Sequence, residues 1–382
     1  MKIMIINRSF WPFYPVLGEA LLQVAEKIAS NGHAVSVVFQ DRSQAKAQMR
    51  TEDRGQGVSF YPIKALTTSA SKLSHRAFDA VFFMFWVIIV LLWVRPNKIY
   101  VSTDPPIIIP FIVMVYSRWS GSEFVYHLQD IHPEATNAVI PINKWVFYVL
   151  LKIDALTTRK ANYLITITEQ MAAEICSRSD TNLLVHVLGN PSVSFDEVDI
   201  SKPKIAGFSF CGNAGRLQRI PLLLEAIENY FEQGGKQEFT FAGGGVHALR
   251  LRAFADKYPN FNFVGLVSPV EAAQLSANYT WALLPIEDSV TRFAFPSKSS
   301  SYVFSGAKIL AICGACTSVA QWVKSNGVGE VIEPEVGALT DAFFAIEKGS
   351  HKTRVDQSSL EVLREKLQFD SFVRHLTKIV LG

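Results

Sequence analysis

Cysteine is scarce in this chain of 382 residues: there are four, at positions 176, 211, 313 and 316. Cysteines so few and so unevenly spaced exclude a disulfide framework, and a reducing compartment is expected. Cys313-Gly-Ala-Cys316 is a single CxxC with no second pair to complete a zinc ribbon, and its first cysteine closes an apolar run that reads as a buried strand. Charge is also thin, at 19% of residues against 49% hydrophobic, and the net charge is +3. That balance leaves no footprint for nucleic acid and points weakly to anionic partners such as phosphorylated substrates or a membrane surface. Two phosphate-binding signatures are missing. No Gly-x-Gly-x-x-Gly with a downstream acidic residue is present, which argues against a dinucleotide oxidoreductase, and the triple glycine at 243 to 245 lacks the Lys-Ser of a Walker loop. Lys2 to Asn7 is too short for the apolar region of a leader; it reads as a first buried strand, and a cytoplasmic protein is expected.

What is present is a plan stated twice. Gly18 opens a helix with Ala20, Leu21, Val24 and Ile28 on one face, Gly32-His33 closes it, and a strand follows over Ala34 to Phe39. A glycine at such a helix entry suits either close approach to a phosphate or a plain tight turn. Gln40 to Gln56 is polar and expected to be a loop, and Val58 to Ile63 a strand. The uncharged run Ala80 to Val94 falls short of the ~20 residues a spanning helix needs, and a second very apolar helix is expected over Ile107 to Trp119. With Arg76, Arg95, Lys98 and Arg118 flanking them, these helices suggest peripheral contact with a membrane, the alternative being helices buried against a parallel sheet. Residues 192 to 204, polar and containing Pro203, mark a boundary. The strand Gly207 to Cys211 then restarts the pattern, which closes on an amphipathic helix over Leu360 to Leu381.

Two stretches carry candidate chemistry. His127, Asp130, His132 and Glu134 form a dense titratable set at the C-terminal end of a predicted strand, where open α/β sheets keep their active groups. Their spacing matches no familiar metal-ligand pattern, so they read either as general acid/base and positioning groups or as satisfied histidines beside a helix cap supplied by Asp130. In the second half, Arg216 and Arg219 lie in a glycine-containing turn that enters a helix, and Ser297 and Lys298 sit where another helix begins. Guanidinium groups, an ammonium and free helix N–H groups all suit a diphosphate.

These segments, in this order, resemble retaining nucleotide-sugar glycosyltransferases of family 4, with the GT-B fold. The turn Gly212-Asn-Ala-Gly-Arg-Leu-Gln-Arg219 is similar to the family's Gly-Asn-x-Gly-x-x-Gln-Gly, with Arg219 in place of the last glycine. Pro296-Ser-Lys298 and the Asp130-x-x-Pro-Glu134 turn resemble family segments, the latter from polysaccharide and O-antigen assembly members. The resemblance implies an α/β fold of two Rossmann-like doubly wound domains facing across a cleft, with limits at 1–196 and 203–360 and a terminal helix 361–382 crossing back. It implies a donor, most simply a UDP-sugar, held by Arg216, Arg219, Arg292, Ser297 and Lys298, with Gly18 near its phosphate and Val264-Gly265-Leu266 meeting the base. Ser301 stands where the family has a glutamate for the ribose hydroxyls. The acceptor implied is a lipid-linked sugar at the inner membrane surface, with no cofactor and no metal expected. Ser301 also favours an alternative, a non-catalytic partner of a transferase complex; a sugar-nucleotide epimerase is the other.

Overall fold

The computed structural model describes residues 1–14, 16–42, 44–67, 73–193, 195, 197–350 and 357–382, the side chains of 73, 74, 76, 77, 357 and 358 apart. The flanking charge expected of Arg76 therefore lies outside them. The chain forms two compact units, residues 1–189 with 369–382, and residues 190–368.

The first unit alternates strands and helices: β1 (Lys2–Ile6), α1 (Leu17–Ser30), β2 (Ala34–Asp41), α2 (Ala45–Thr51), β3 (Val58–Lys64), α3 (Leu73–Val94), β4 (Lys98–Ser102), α4 (Ile108–Ser120), β5 (Glu123–Leu128), α5 (Glu134–Val139), α6 (Lys144–Lys160), β6 (Tyr163–Thr166), α7 (Glu169–Ser179) and β7 (Val185–Val187). The strands form one parallel sheet in the order β3-β2-β1-β4-β5-β6-β7. Central strands covered on both faces need continuous apolar runs, and β1 supplies one, Ile3 to Ile6, with no exposed surface. Helix α1 obeys the 3.6-residue period, burying Leu21, Val24, Ala25 and Ile28. Part of the stretch expected as a loop, Ala45–Thr51, is helical, because Asp41 accepts the Ala45 N–H and Met49 packs into the core.

The second unit repeats the plan: β8 (Ile205–Cys211), α8 (Ile220–Glu232), β9 (Glu238–Ala242), α9 (Ala248–Lys257), β10 (Phe261–Gly265), α10 (Pro269–Asn278), β11 (Tyr279–Pro285), α11 (Lys298–Ser305), β12 (Lys308–Ile312), α12 (Ser318–Ser325), β13 (Gly329–Ile332), α13 (Val336–Glu347) and α14 (Gln357–Leu367). Its parallel sheet runs β10-β9-β8-β11-β12-β13. Both sheets thus reverse their winding between the first and fourth strands, β1 beside β4 and β8 beside β11. At that point successive connections depart to opposite faces, and a crevice opens outside the strand C-termini. The ends of β1, β4 and β5, and of β8, β9 and β11, are therefore where ligand groups are expected.

The terminal amphipathic run is two helices, not one. It breaks at Gln368, between α14 and α15 (Phe369–Leu381). The first half belongs with the second unit, where Arg364 donates to the carbonyl of Val303; the second half belongs with the first unit, where Phe372, Val373, Leu376 and Val380 are buried in the core that α1 also fills.

From Ala80 to Val94 helix α3 is apolar all round. Phe83, Val87, Val90 and Leu91 are buried, while Phe78, Phe85, Ile89 and Trp93 are exposed at helical spacing. Val115 and Trp119 of α4 and Trp145 and Tyr148 of α6 are exposed too, on helices that contact one another in the order α3, α4, α6. Among the described residues no helix is long and apolar enough to cross a membrane.

Candidate functional site

In the first unit, the loops after β1, β4 and β5 line a cavity of ≈ 660 Å³ whose walls include Arg8, Tyr14, Asp104, Gln129, Asp130 and His132. The loops are tied to one another. Arg8 makes 2.9 and 3.0 Å contacts with Asp104, whose other oxygen accepts from the Ser9 N–H, and the Thr103 hydroxyl accepts from the N–H groups of Gln129 and Asp130. Asp130 lines the cavity, and its carboxyl has no hydrogen-bond partner among the described residues. Burial, with Asp104 nearby, pushes that carboxyl up to about 6. His132 is bonded through Nδ1 to the Thr136 hydroxyl at 2.7 Å; burial and the neighbouring Arg178 bring it down to about 4, so it is neutral at pH 7. Beside the cavity, Ile107 turns at φ 61°, ψ −63° with the Ile108 N–H on the Pro106 carbonyl at 2.7 Å. A branched residue in that γ-turn stores about 1–3 kcal/mol of strain, a feature that concentrates at functional sites.

Two members of the expected catalytic set are elsewhere. His127 is enclosed in the core at 1% exposure, with Nδ1 against the Tyr100 hydroxyl at 2.7 Å and its ring beside Phe372. Burial lowers it to about 3, which leaves a neutral packing group. Glu134 faces inward as well: its carboxylate meets Arg178 of α7 at 2.9 Å, and the same guanidinium holds the His132 carbonyl at 2.8 Å and the carboxylate of Asp154, which also accepts from the Tyr126 hydroxyl at 2.6 Å. Burial raises both carboxyls while Arg178 opposes that. Glu134 thus braces the turn that presents Asp130 and His132. Nor does Asp130 cap α5, whose N-cap is Pro133 without a side-chain bond. Gly18 answers to packing: a Cβ there would lie 2.5 Å from the Trp11 nitrogen and 2.6 Å from the Phe10 carbonyl carbon.

In the second unit the glycine turns after β8 and β9 interlock. The Gly212 N–H reaches Ala242 O, the Ala214 N–H reaches Gly244 O at 2.6 Å, and the Gly243 N–H reaches Gly265 O at 2.6 Å. Against this backbone lies Lys298, the first residue of α11. Its Nζ sits 4.0 Å over the Phe210 ring and beside Gly212, has no hydrogen-bond partner among the described residues, and is brought down by burial to about 8. Tyr302, one turn on, fixes α11 by accepting from Cys211 N and donating to Leu283 O. Neither Phe210 nor Tyr302 carries a motif that a sequence reading can single out.

Of the other expected donor residues, Arg216 is exposed at the mouth of the turn, Arg292 is exposed with its guanidinium 5.8 Å from the Phe293 ring, and Ser297 is the exposed N-cap of α11. Ser301 is half-buried, and its hydroxyl makes no hydrogen bond with the described residues. Arg219 is committed: it donates to Ile286 O and pairs with Glu287 at 3.1 Å and Asp288 at 2.9 Å, so it locks the loop after β11, and those carboxylates are occupied in turn. Val264 and Leu266 are exposed on either side of Gly265, whose carbonyl is taken by Gly243. Among the described residues no group of three or more His, Cys, Asp or Glu side chains is placed to hold a metal ion.

No family model matches the chain. It is 24% identical over 251 residues to the protein named Probable glycosyltransferase WbjE of Pseudomonas aeruginosa, an alignment covering 62% of each chain, so the match spans about three fifths of that relative. Among solved structures, HepE of Anabaena in complex with UDP superposes with a TM-score of 0.67 at 12% identity over 99% of both chains. WaaG, described as a glycosyltransferase involved in lipopolysaccharide biosynthesis, superposes at 0.63 with 14% identity over 100% of both. Two parallel sheets of seven and six strands, each reversing beside its first strand and each matched along its length by these structures, show that the chain has the GT-B fold.

Proposed function

We propose that this protein transfers a sugar from a nucleotide-sugar donor, a UDP-sugar, to a lipid-linked or oligosaccharide acceptor in cell-surface polysaccharide synthesis, with retention at the anomeric carbon. The observation that carries the reading is Lys298. An ammonium withdrawn from water and given no hydrogen-bonding partner is costly unless an anion completes the site. Glycine backbone beside it lets a diphosphate come close, and Arg216 is free to fold over one. The two cations would stabilise the charge that develops on the leaving diphosphate. In the first unit Asp130, with a carboxyl near 6, suits the proton of an acceptor hydroxyl. The names of WbjE and WaaG and the UDP bound by HepE support the same assignment.

The test is calorimetric titration with UDP, GDP and dTDP. Micromolar binding of UDP is expected, weakened about 10- to 100-fold in Lys298→Met and in Arg216→Ala, the worth of one charged hydrogen bond. Because the nucleotide binds the charged lysine and the free lysine titrates near 8, native affinity should fall about tenfold from pH 7 to pH 9. Lys298→Met should lack that fall. Absence of binding by all three nucleotides would bring forward the second reading, a non-catalytic partner in a transferase complex, which the serine at 301 favours over a carboxylate.

We place the acceptor at a membrane. The adjoining helices α3, α4 and α6 expose Trp93, Trp119 and Trp145, each 73–74% exposed, and Arg95, Arg118, Lys144 and Lys152 are exposed on or next to the same helices. Aromatic residues with a basic rim suit the interface of an anionic bilayer. Co-sedimentation with vesicles containing phosphatidylglycerol should fall at least about tenfold when the three tryptophans are replaced by serine, with nucleotide binding unchanged. Equal sedimentation of both proteins would remove the membrane from the proposal.

A further inference from the structure

The cavity of the first unit also limits what kind of sugar it can receive. Beside the phenol of Tyr14, four charged or titratable side chains face it: Arg8, Asp104, Asp130 and His132. Arg8 is the one lasting cation among them, and it is spent on Asp104 at 2.9 Å. His132 is neutral, with Nδ1 engaged by Thr136 and its other ring nitrogen without a partner among the described residues. Asp130 is left as a carboxyl with nothing bonded to it, in a wall whose remaining side chains are uncharged, polar at Thr103 and Gln129 and apolar at Val16, Leu17 and Pro106. A carboxylate or phosphate entering here would give up its water, meet no free cation, and face Asp130 as a like charge. A hydroxyl or an ammonium would find acceptors, and the apolar wall suits the C–H face of a pyranose ring.

We infer that the acceptor sugar bound beside Asp130 is uncharged or carries an amino group, and is not an acidic sugar. The inference rests on the transferase reading for the word acceptor, while the selectivity itself belongs to the cavity.

Saturation-transfer NMR with the full-length protein at pH 7.5 tests it, using methyl glycosides of hexoses, 2-amino-2-deoxyhexoses and hexuronic acids in the gluco, galacto and manno configurations. At least one neutral or amino glycoside should bind, with the uronide of the same configuration at least about tenfold weaker, as one unfavourable charge contact implies. Asp130→Asn, which keeps the side-chain shape, should narrow that gap and weaken the amino glycoside more than the neutral one. Asp130→Lys should reverse the preference towards the uronide. A native protein that binds a uronide as well as its neutral counterpart, or binds no glycoside at all, overturns the inference, as does an unchanged ranking in both variants. The transferase reading fails separately, by loss of nucleotide binding in the second unit while the glycoside ranking stands.

Discussion

Arg178→Met is expected to destabilise the first unit by about 3–5 kcal/mol, the cost of removing one partner from a buried ionic group. The side chain is 6% exposed and serves three acceptors at once: the carboxylates of Glu134 and Asp154 and the carbonyl of His132. Without it, two carboxyls that burial already raises lose the cation that keeps them ionised. The sign with pH follows. A carboxyl whose folded pKa lies above its unfolded value favours folding only once it is protonated, so the deficit of the variant should shrink as pH falls from 7 to 5. Urea denaturation across that range, followed by intrinsic fluorescence, reads both effects; a deficit that grows on acidification would mean that the carboxyls are not the source. The His132 carbonyl is released in the same variant, so the Asp130 to Glu134 turn should loosen, and glycoside binding should weaken even where the protein remains folded.

Gly243→Ala should be comparably severe in the second unit, at about 2–6 kcal/mol. A Cβ on Gly243 would lie 1.9 Å from the Gly212 carbonyl oxygen, and the backbone there is at φ +131°, a region open to glycine alone. Strain in that region costs about 1–3 kcal/mol and forced overpacking about as much again. Because Gly212 backs the Lys298 ammonium, separating the two turns should also abolish nucleotide binding at temperatures where the variant is still folded. Gly337→Ala is the matched control. That glycine lies in α13 with nothing within 4 Å of a new Cβ, so alanine should be neutral or stabilise by up to about 1 kcal/mol. A Gly243→Ala protein with native stability and native UDP affinity would show that the two loops separate without cost, and that the site does not depend on their contact.

The periodicity of the chain determined its alternating strands and helices and their restart after residue 204, because apolar spacing and glycine punctuation are local quantities that each segment carries with it. Capping is equally local: Ser268 and Glu271, three residues apart, form a reciprocal capping box at the start of α10. The position of Lys298 at the start of a helix was legible too, although its burial over Phe210 and beside Gly212 was not. Tertiary structure decided which titratable groups are paired within the protein and which line a cavity. Glu134 turned inward because a guanidinium 44 residues later in the chain meets it, and Arg8 was neutralised by a carboxylate 96 residues away. Arg219 was taken by Asp288, 69 residues on, and His127 by burial against Tyr100. A charge is available to a substrate only if no nearer partner claims it, and those partners are set by which strand ends the parallel sheet brings together.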